Sequence, residues 1–498
     1  MGKENEIMWP SFEEVHRAAT MCMKRKKSRL DAIAFRRRYG EEIFNLATRI
    51  RTKTYNPQAG LVFVADFPKY REIHAAHFRD RVVHHLLYNH LEPIFEELFI
   101  EDSYACRKGK GTHAAAKNLA KKMRCITRNG KIKAYGLKMD IKSFFPSIHK
   151  ATLLELLKPK CKQLEHGADV YKLAEVIVNH DPVKCARPRG NRQDFNKVPK
   201  HKRLGALGPE YGLPIGNLTS QFFGNVYLNA LDQFVKRTLG VRYYLRYVDD
   251  FIILNEDPTQ LRVWEQRIRE FLNKKLLLKA HENTKITLVS KGIDFVGYMI
   301  RPDYVLTRNR VIKHADKRIT ELETQLQPKQ IGSIKYWPID SDAIEKLRAA
   351  WASYYGHFRH AASYCVRKRL WRKHLISRFY LTPSLKRRFS LFKLDSSWKY
   401  QVKRLSQGIR KAVLIVKVGQ YAETPLRRDI KRLGLKAPKS KQRGRLRAGV
   451  PYKSVYSLIN RCLERGISVA LAKELNETTG QIKARKLEWF IEKTSKNA

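Results

Sequence analysis

Two apolar runs, VRYYLRY from Val241 and FIILNED from Phe251, close on Val248, Asp249 and Asp250, and no other part of the chain restricts its fold as much. Short runs rich in β-branched and aromatic residues read as strands, so the acids stand at the tip of a hairpin. Successive strand side chains point to opposite faces, and a turn is needed for both carboxylates to approach one site. Adjacent carboxylates repel each other, and a bound cation relieves that repulsion. A lone Asp-Asp pair is most often a solvated turn. Here a third acid, Asp140, ends another strand-like run, Ala134 to Asp140 in LKMDIKSFFPSI, ahead of the break at Pro146. Three acids converging from neighbouring strands can hold two Mg²⁺ ions roughly 3.5 to 4 Å apart, an arrangement suited to phosphoryl transfer.

The flanking sequence supplies helices for such a sheet. Apolar residues at three and four spacing predict two helices between Ser11 and Thr54, joined near Lys27, then helices over Phe78–Phe99, after Gly111, from Lys150 to Pro159, through SQFFGNVYLNALDQFVKRTL, and near Pro258–Leu276. Leu61–Phe67 begins a hairpin-like unit, and Ile286–Ile300 is strand-like. From Val311 to Leu381 the pattern is helical, and residues 381–498 read as helical and basic, with KAPKSKQRGRLRAGVP at 436–451 as an exposed loop. Residues 183–212, rich in Gly, Pro and cations, read as a long basic loop that nucleic acid would order. The order of strand, helices, hairpin, helix and strand suggests an α+β fold with helices on one face of an antiparallel sheet.

Charge narrows the partner. With 100 Lys plus Arg against 47 Asp plus Glu, the net charge is +53, which points first to nucleic acid and second to an anionic surface. No run of eighteen apolar residues and no signal-peptide pattern is visible, so no membrane partner and a cytoplasmic location are expected. The 43% hydrophobic content fits folded domains and excludes a disordered polybasic chain. Seven scattered cysteines without a CxxC pair fit reduced thiols better than a disulfide framework or a zinc ribbon. The pair His84 and His85, and HFRH at 357–360, lack partners at metal-ligand spacing and read as structural or RNA-facing.

In order and spacing, FRDRVVHHLLYNHLEPIFEELFIEDSYACRKGKGTHAA, LKMDIKSFFPSI, GLPIGNLTSQFFGNVYLNALD, YLRYVDDFIIL and DFVGY resemble the fingers and palm of bacterial reverse transcriptases, over about residues 50 to 380. Ile215-Gly216-Asn217-Leu218-Thr219-Ser220-Gln221 is most similar to diversity-generating retroelement enzymes, which carry Ile-Gly-Asn-x-x-Ser-Gln there. The related unclassified reverse transcriptases of phage defence are similar too. The resemblance implies a right-hand polymerase: a basic N-terminal segment at 1–54, fingers at 55–135, palm at 136–305 with the insertion 183–212, thumb at 306–380, and an RNA-binding extension at 381–498.

The same resemblance implies the site. Asp140, Asp249 and Asp250 are the expected catalytic acids and, with the Ile141 carbonyl, the ligands of two Mg²⁺ ions, Mn²⁺ being the alternative. Lys69, Arg71, Ile215, Gly216 and Lys285 are expected at the incoming dNTP, Lys285 as a proton donor to pyrophosphate. Phe145 matches an aromatic gate against a ribose 2′ hydroxyl. Arg107, Lys108, Lys110, Gln221, Gly297 and Tyr298 are expected at template or primer. Implied partners are a cognate noncoding or template RNA, the cDNA product and dNTPs, with an accessory protein or a second copy as further candidates.

The chain departs from the family in its long basic C-terminal extension, which a diversity-generating enzyme usually lacks and a defence enzyme often carries. It has no HNH-type His/Cys cluster and no evident RNase H acid set. A noncatalytic RNA-binding scaffold with a polymerase-like fold stays open as the alternative from another class.

Overall fold

A computed structural model of the chain describes residues 8–24, 26, 29–65, 69–331, 334–337, 340–383, 389–390, 412–425, 427–435, 448–479 and 482–493. It divides into two compact units, Met1–Tyr304 and Val305–Ala498.

In the first unit, four antiparallel strands form a sheet in the order Tyr243–Tyr247, Asp250–Asn255, Tyr135–Asp140, Lys285–Leu288. Its register pairs Asp250 with Tyr247 on one side and with Asp140 on the other, so the acids gather at one end of adjacent strands. Helices Leu218–Gln233 and Pro258–Leu276 contribute Phe222, Phe223, Val226, Tyr227, Leu261, Ile268 and Leu272 to the core that also buries Leu137, Met139, Phe251 and Ile253. Helix Phe78–Leu98 joins that core through Val82, Val83, Leu86, Leu87 and Leu91. Helix Pro258–Leu276 starts on a proline, with Asp257 accepting from the backbone N–H groups of Thr259 and Gln260.

Two expectations for this unit change. The N-terminal segment holds three helices, Phe12–Met23, Leu30–Arg37 and Tyr39–Arg51, instead of two. Arg38, at φ −116° and ψ 33°, leaves helical geometry and splits the second. The insertion 183–212 also has structure of its own. Leu61–Ala65 pairs antiparallel with Arg71–Ala75, and Arg187–Pro188 adds a parallel strand beside Leu61 and Val62. At its far end the Gly212 and Leu213 N–H groups donate to the carbonyls of Ile148 and Phe145 at 2.8 and 2.9 Å.

The second unit begins with helices Asn309–Thr324, Ser341–Phe358, Tyr364–Lys373 and Leu375–Tyr380 around the buried Trp351. Strands Lys329–Ile331 and Ile334–Trp337 interrupt the helical pattern expected over 311–381. The expectation of a helical extension is corrected. Strands at 413–418, 421–424, 448–451, 469–479 and 482–493 join those two in a seven-stranded sheet, on which helix Val455–Glu464 packs with Val455, Leu458, Ile459 and Cys462. The physical reason lies in VLIVKV at Val413–Val418, an aliphatic run too short for a stable helix and closed by Gly419 at φ 59°. Residues 436–447 of the expected basic loop lie outside the described residues, while Ala448–Pro451 is a strand. All seven cysteines are unpaired, and no described helix is long and apolar enough to cross a membrane.

Candidate functional site

Sheet register brings the acids to one opening. Asp140 ends its strand beside Asp250, and the Ile141 N–H donates to the Asp249 carbonyl at 3.2 Å, locking the two strand ends together. Asp140, Asp249 and Asp250 line one cavity of about 420 Å³, with Lys69, Arg71, Phe145 and Ile215 also in its wall. That volume lies within the range of small-ligand pockets.

Electrostatics in this cavity are unsettled. Burial, with Asp140 nearby, pushes Asp249 up to about 6. Burial also pushes Asp250 up to about 7, against the pull of Lys138 and with added repulsion from Asp140 and Asp249. The Lys138 Nζ lies 2.9 Å from Asp250 Oδ2, yet Asp250 Oδ1 is buried without a hydrogen-bond partner. An orphaned carboxylate oxygen among repelling acids is the donor chemistry a hard divalent cation needs. Among the described residues, no three His, Cys, Asp or Glu side chains are already drawn together as a ligand set.

Behind the hairpin lies a charge that reading along the sequence missed. Arg246 is fully buried and donates to both Asp232 oxygens at 2.8 and 2.6 Å, to Asn225 Oδ1 at 3.3 Å, to Ser103 Oγ at 3.1 Å, and to the Val248 carbonyl at 3.0 Å. Tyr244 donates to Asp232 as well, at 2.7 Å. The last contact of Arg246 holds the turn that carries Asp249. Its available signal was a lone cation alternating with Tyr244 on the inward face of an apolar strand, where charge is tolerated only when paired.

Backbone strain marks the same cavity. Val248 (φ 55°) and Val296 (φ 45°) both line it in the left-handed region, which β-branched residues rarely enter. Such outliers cost about 1–3 kcal/mol and persist where surrounding structure over-determines them.

The remaining expected residues divide. Phe145 sits in the cavity wall 5.2 Å from the Phe144 ring, and Gly224 leaves both rings room. The Ile215 carbonyl accepts from the His74 N–H at 2.8 Å, docking its loop on strand Arg71–Ala75. Gly216, at φ 125°, does not line the cavity; a Cβ there would stand 3.0 Å from the His74 carbonyl. Lys285 pairs in register with Lys138 and is exposed outside the cavity, whereas His281 lies within it, its Nε2 3.8 Å from Asp140 Oδ2.

At the expected template strip, Arg107 is held inside the protein by Glu96 at 2.7 Å and by the carbonyls of Ile100 and Ser103. Lys110 pairs with Glu101, while Lys108 is 82% exposed with Glu92 at 3.1 Å. Ser103 bridges to Arg246, which ties this strip to the hairpin strand. Gln221 is exposed and accepts from the Cys106 thiol at 3.5 Å. Gly297, at φ 87°, completes the turn after Val296, and the buried Tyr298 shares a 3.0 Å hydrogen bond with His113 Nδ1. His84 is buried against Thr219, and that burial lowers it to about 3.

Residues 65–300 match the family described as reverse transcriptase (RNA-dependent DNA polymerase). The group II intron-encoded protein LtrA of Lactococcus lactis subsp. cremoris is 22% identical over 343 residues, covering 56% of this chain and 52% of that protein. Protein YkfC of Escherichia coli is 22% identical over 266 residues, covering 47% of this chain and 63% of that one. The chain therefore spans only about half to two thirds of the length of these relatives. Among solved structures, apo telomerase from Candida tropicalis aligns over 68% of this chain and 66% of that one, at 12% identity and a TM-score of 0.37.

Proposed function

We propose that this chain, which carries a reverse transcriptase domain over residues 65–300, is an RNA-directed DNA polymerase that extends a 3′ hydroxyl with dNTPs on an RNA template. The observation that carries the reading is the shared cavity: three acids on adjoining strand ends, an orphaned Asp250 oxygen, and Lys69 and Arg71 in the same wall. Asp140, Asp249 and Asp250, with the Ile141 carbonyl, would hold two divalent ions, Mg²⁺ or Mn²⁺, which supply activation of the attacking hydroxyl and neutralisation of the leaving pyrophosphate. Arg71 and Lys69 offset charge on the β and γ phosphates. Phe145 fills the volume that a ribose 2′ oxygen needs. Arg246 keeps the Val248 turn, and so Asp249, from shifting as substrate enters.

Residues 55–135 act as fingers and 136–305 as palm in this reading, with 306–380 as thumb and 381–498 holding RNA. The charge of +53 supports an RNA partner bound chiefly through phosphates. The biological setting is either a diversity-generating retroelement, supported by Ile215–Gln221, or an antiviral system with a dedicated noncoding RNA, supported by the added C-terminal sheet.

Primer extension on an RNA template with Mg²⁺ and dNTPs tests the activity. Incorporation by the native chain and none by Asp249→Asn is expected; equal incorporation by both would refute the assignment, and RNA binding without incorporation would favour a scaffold. Sequencing nucleic acid that copurifies from the native host separates the settings: adenine-directed errors against a template repeat indicate diversification, and a phage-induced product on a dedicated RNA indicates defence.

A further inference from the structure

The insertion 183–212 reads from sequence as a loop awaiting nucleic acid, but the fold commits it to the nucleotide cavity. The N–H groups of Arg187 and Arg189 donate to the carbonyls of Gly60 and Val62 at 2.9 and 2.8 Å, attaching its first part to the Leu61–Ala65 strand. Its second part reaches the neighbouring strand: the Leu204 N–H donates to Glu72 Oε2 at 3.2 Å, and the Arg203 Nε lies 3.9 Å from Glu72 Oε1. Arg203 also donates to the carbonyls of Val198 and Phe195, at 3.1 and 2.8 Å, which folds the segment on itself. Between these anchors, the short 3₁₀ turn Lys200–Lys202 directs Lys202 into the cavity wall that Lys69, Arg71 and the three acids share.

A cation brought to an acid-lined cavity by its own anchored segment needs a reason. Lys138 already pairs with Asp250. Lys69 and Arg71 come from the chain entering strand Arg71–Ala75, and Lys202 belongs to the turn just before the residues fixed to Glu72 on that strand. Three cations around one opening match the multiple charge of a triphosphate better than the single charge of each phosphate in a nucleic-acid backbone.

We propose that Lys202 is a third triphosphate-binding residue for the incoming nucleotide, with the insertion serving as a fixed wall of that site. This deepens the polymerase reading and rests on it.

The test measures dATP affinity of the full chain in Mg²⁺, on an RNA template whose primer ends in a dideoxynucleotide, so that binding is read without chemistry. Lys202→Ala should weaken dATP by about ten- to a hundredfold, the range expected for losing a charge-assisted contact. dAMP and primer–template affinity should be unchanged, and Lys202→Arg should recover most of the loss. Lys200→Ala, on the same turn but outside the cavity wall, serves as the control and should match the native chain. Unchanged dATP affinity in Lys202→Ala, equal losses for dATP and dAMP, a loss of primer–template affinity alone, or a native chain that does not bind dATP would each overturn the proposal. If dATP binds through Lys202 but an extendable primer is not elongated, the triphosphate contact stands while the polymerase reading, and with it the role of that nucleotide as the incoming substrate, falls.

Discussion

The hairpin Tyr243–Asn255 carries two charged regions a few residues apart, and they are built in opposite ways. At its back, Arg246 is buried with hydrogen bonds to Asp232, Asn225, Ser103 and the Val248 carbonyl. At its front, Asp249 and Asp250 are pushed up by burial and mutual repulsion, one Asp250 oxygen lacks a partner, and the turn between strands holds Val248 in a left-handed conformation. A buried charge with its partners in place is scaffold, whereas a buried charge left short of partners is held for a ligand. The front can stay unsettled because the back is fixed.

Substitutions at the two regions should separate chemistry from stability. Asp249→Asn should lower primer extension by at least about a thousandfold, the scale of losing a main electrostatic contributor, with the melting temperature of the metal-free protein unchanged or raised because repulsion is relieved. Asp232→Ala should do the reverse in kind: an unpaired buried Arg246 costs about 3–5 kcal/mol, read as a shifted denaturant midpoint. A stable Asp232→Ala variant would break the comparison.

Two further effects sharpen it. Val248→Gly releases left-handed strain worth about 1–2 kcal/mol but adds chain entropy of about 0.5–1 kcal/mol, so stability should stay level or rise slightly while extension falls. The remaining effect concerns pH. Because Asp249 and Asp250 have folded values of about 6 and about 7, above those of unfolded aspartate, the folded chain binds more protons between them. Stability without divalent ions should therefore decline as pH rises from about 4 to about 7 and then level off. Melting curves of the native chain and of Asp250→Asn should converge at low pH and separate as pH rises, the native chain being the less stable; parallel curves would show that Asp250 is not raised.

Legibility followed the range of the interactions involved. Asp140, Asp249 and Asp250 were readable because each sits in a short local pattern, an apolar run next to a charge, whereas Phe145 was expected from the resemblance alone. Arg107 looked like a free cation beside glycines, and its engagement by Glu96 depends on a helix eleven residues earlier. Lys285 was expected at the nucleotide from the resemblance alone, whereas strand pairing sets it opposite Lys138, outside the cavity that His281 lines. Lys202 was hidden in a basic segment whose docking on Glu72 spans 132 residues. The C-terminal sheet escaped because its centre is a parallel pairing of Val413–Val416 with Val469–Ala472, which joins segments far apart in the chain.

The amino-acid sequence by itself determined the strand and helix types around the acids, the acids as a group, and the charge that calls for a polyanionic partner, because these rest on local periodicity and on composition. Tertiary structure decided which cations remain available, which charge is buried as scaffold, and which loop walls the cavity. Each of those outcomes depends on partners brought together from distant segments, and burial sets the energy of a charge only once those partners are in place.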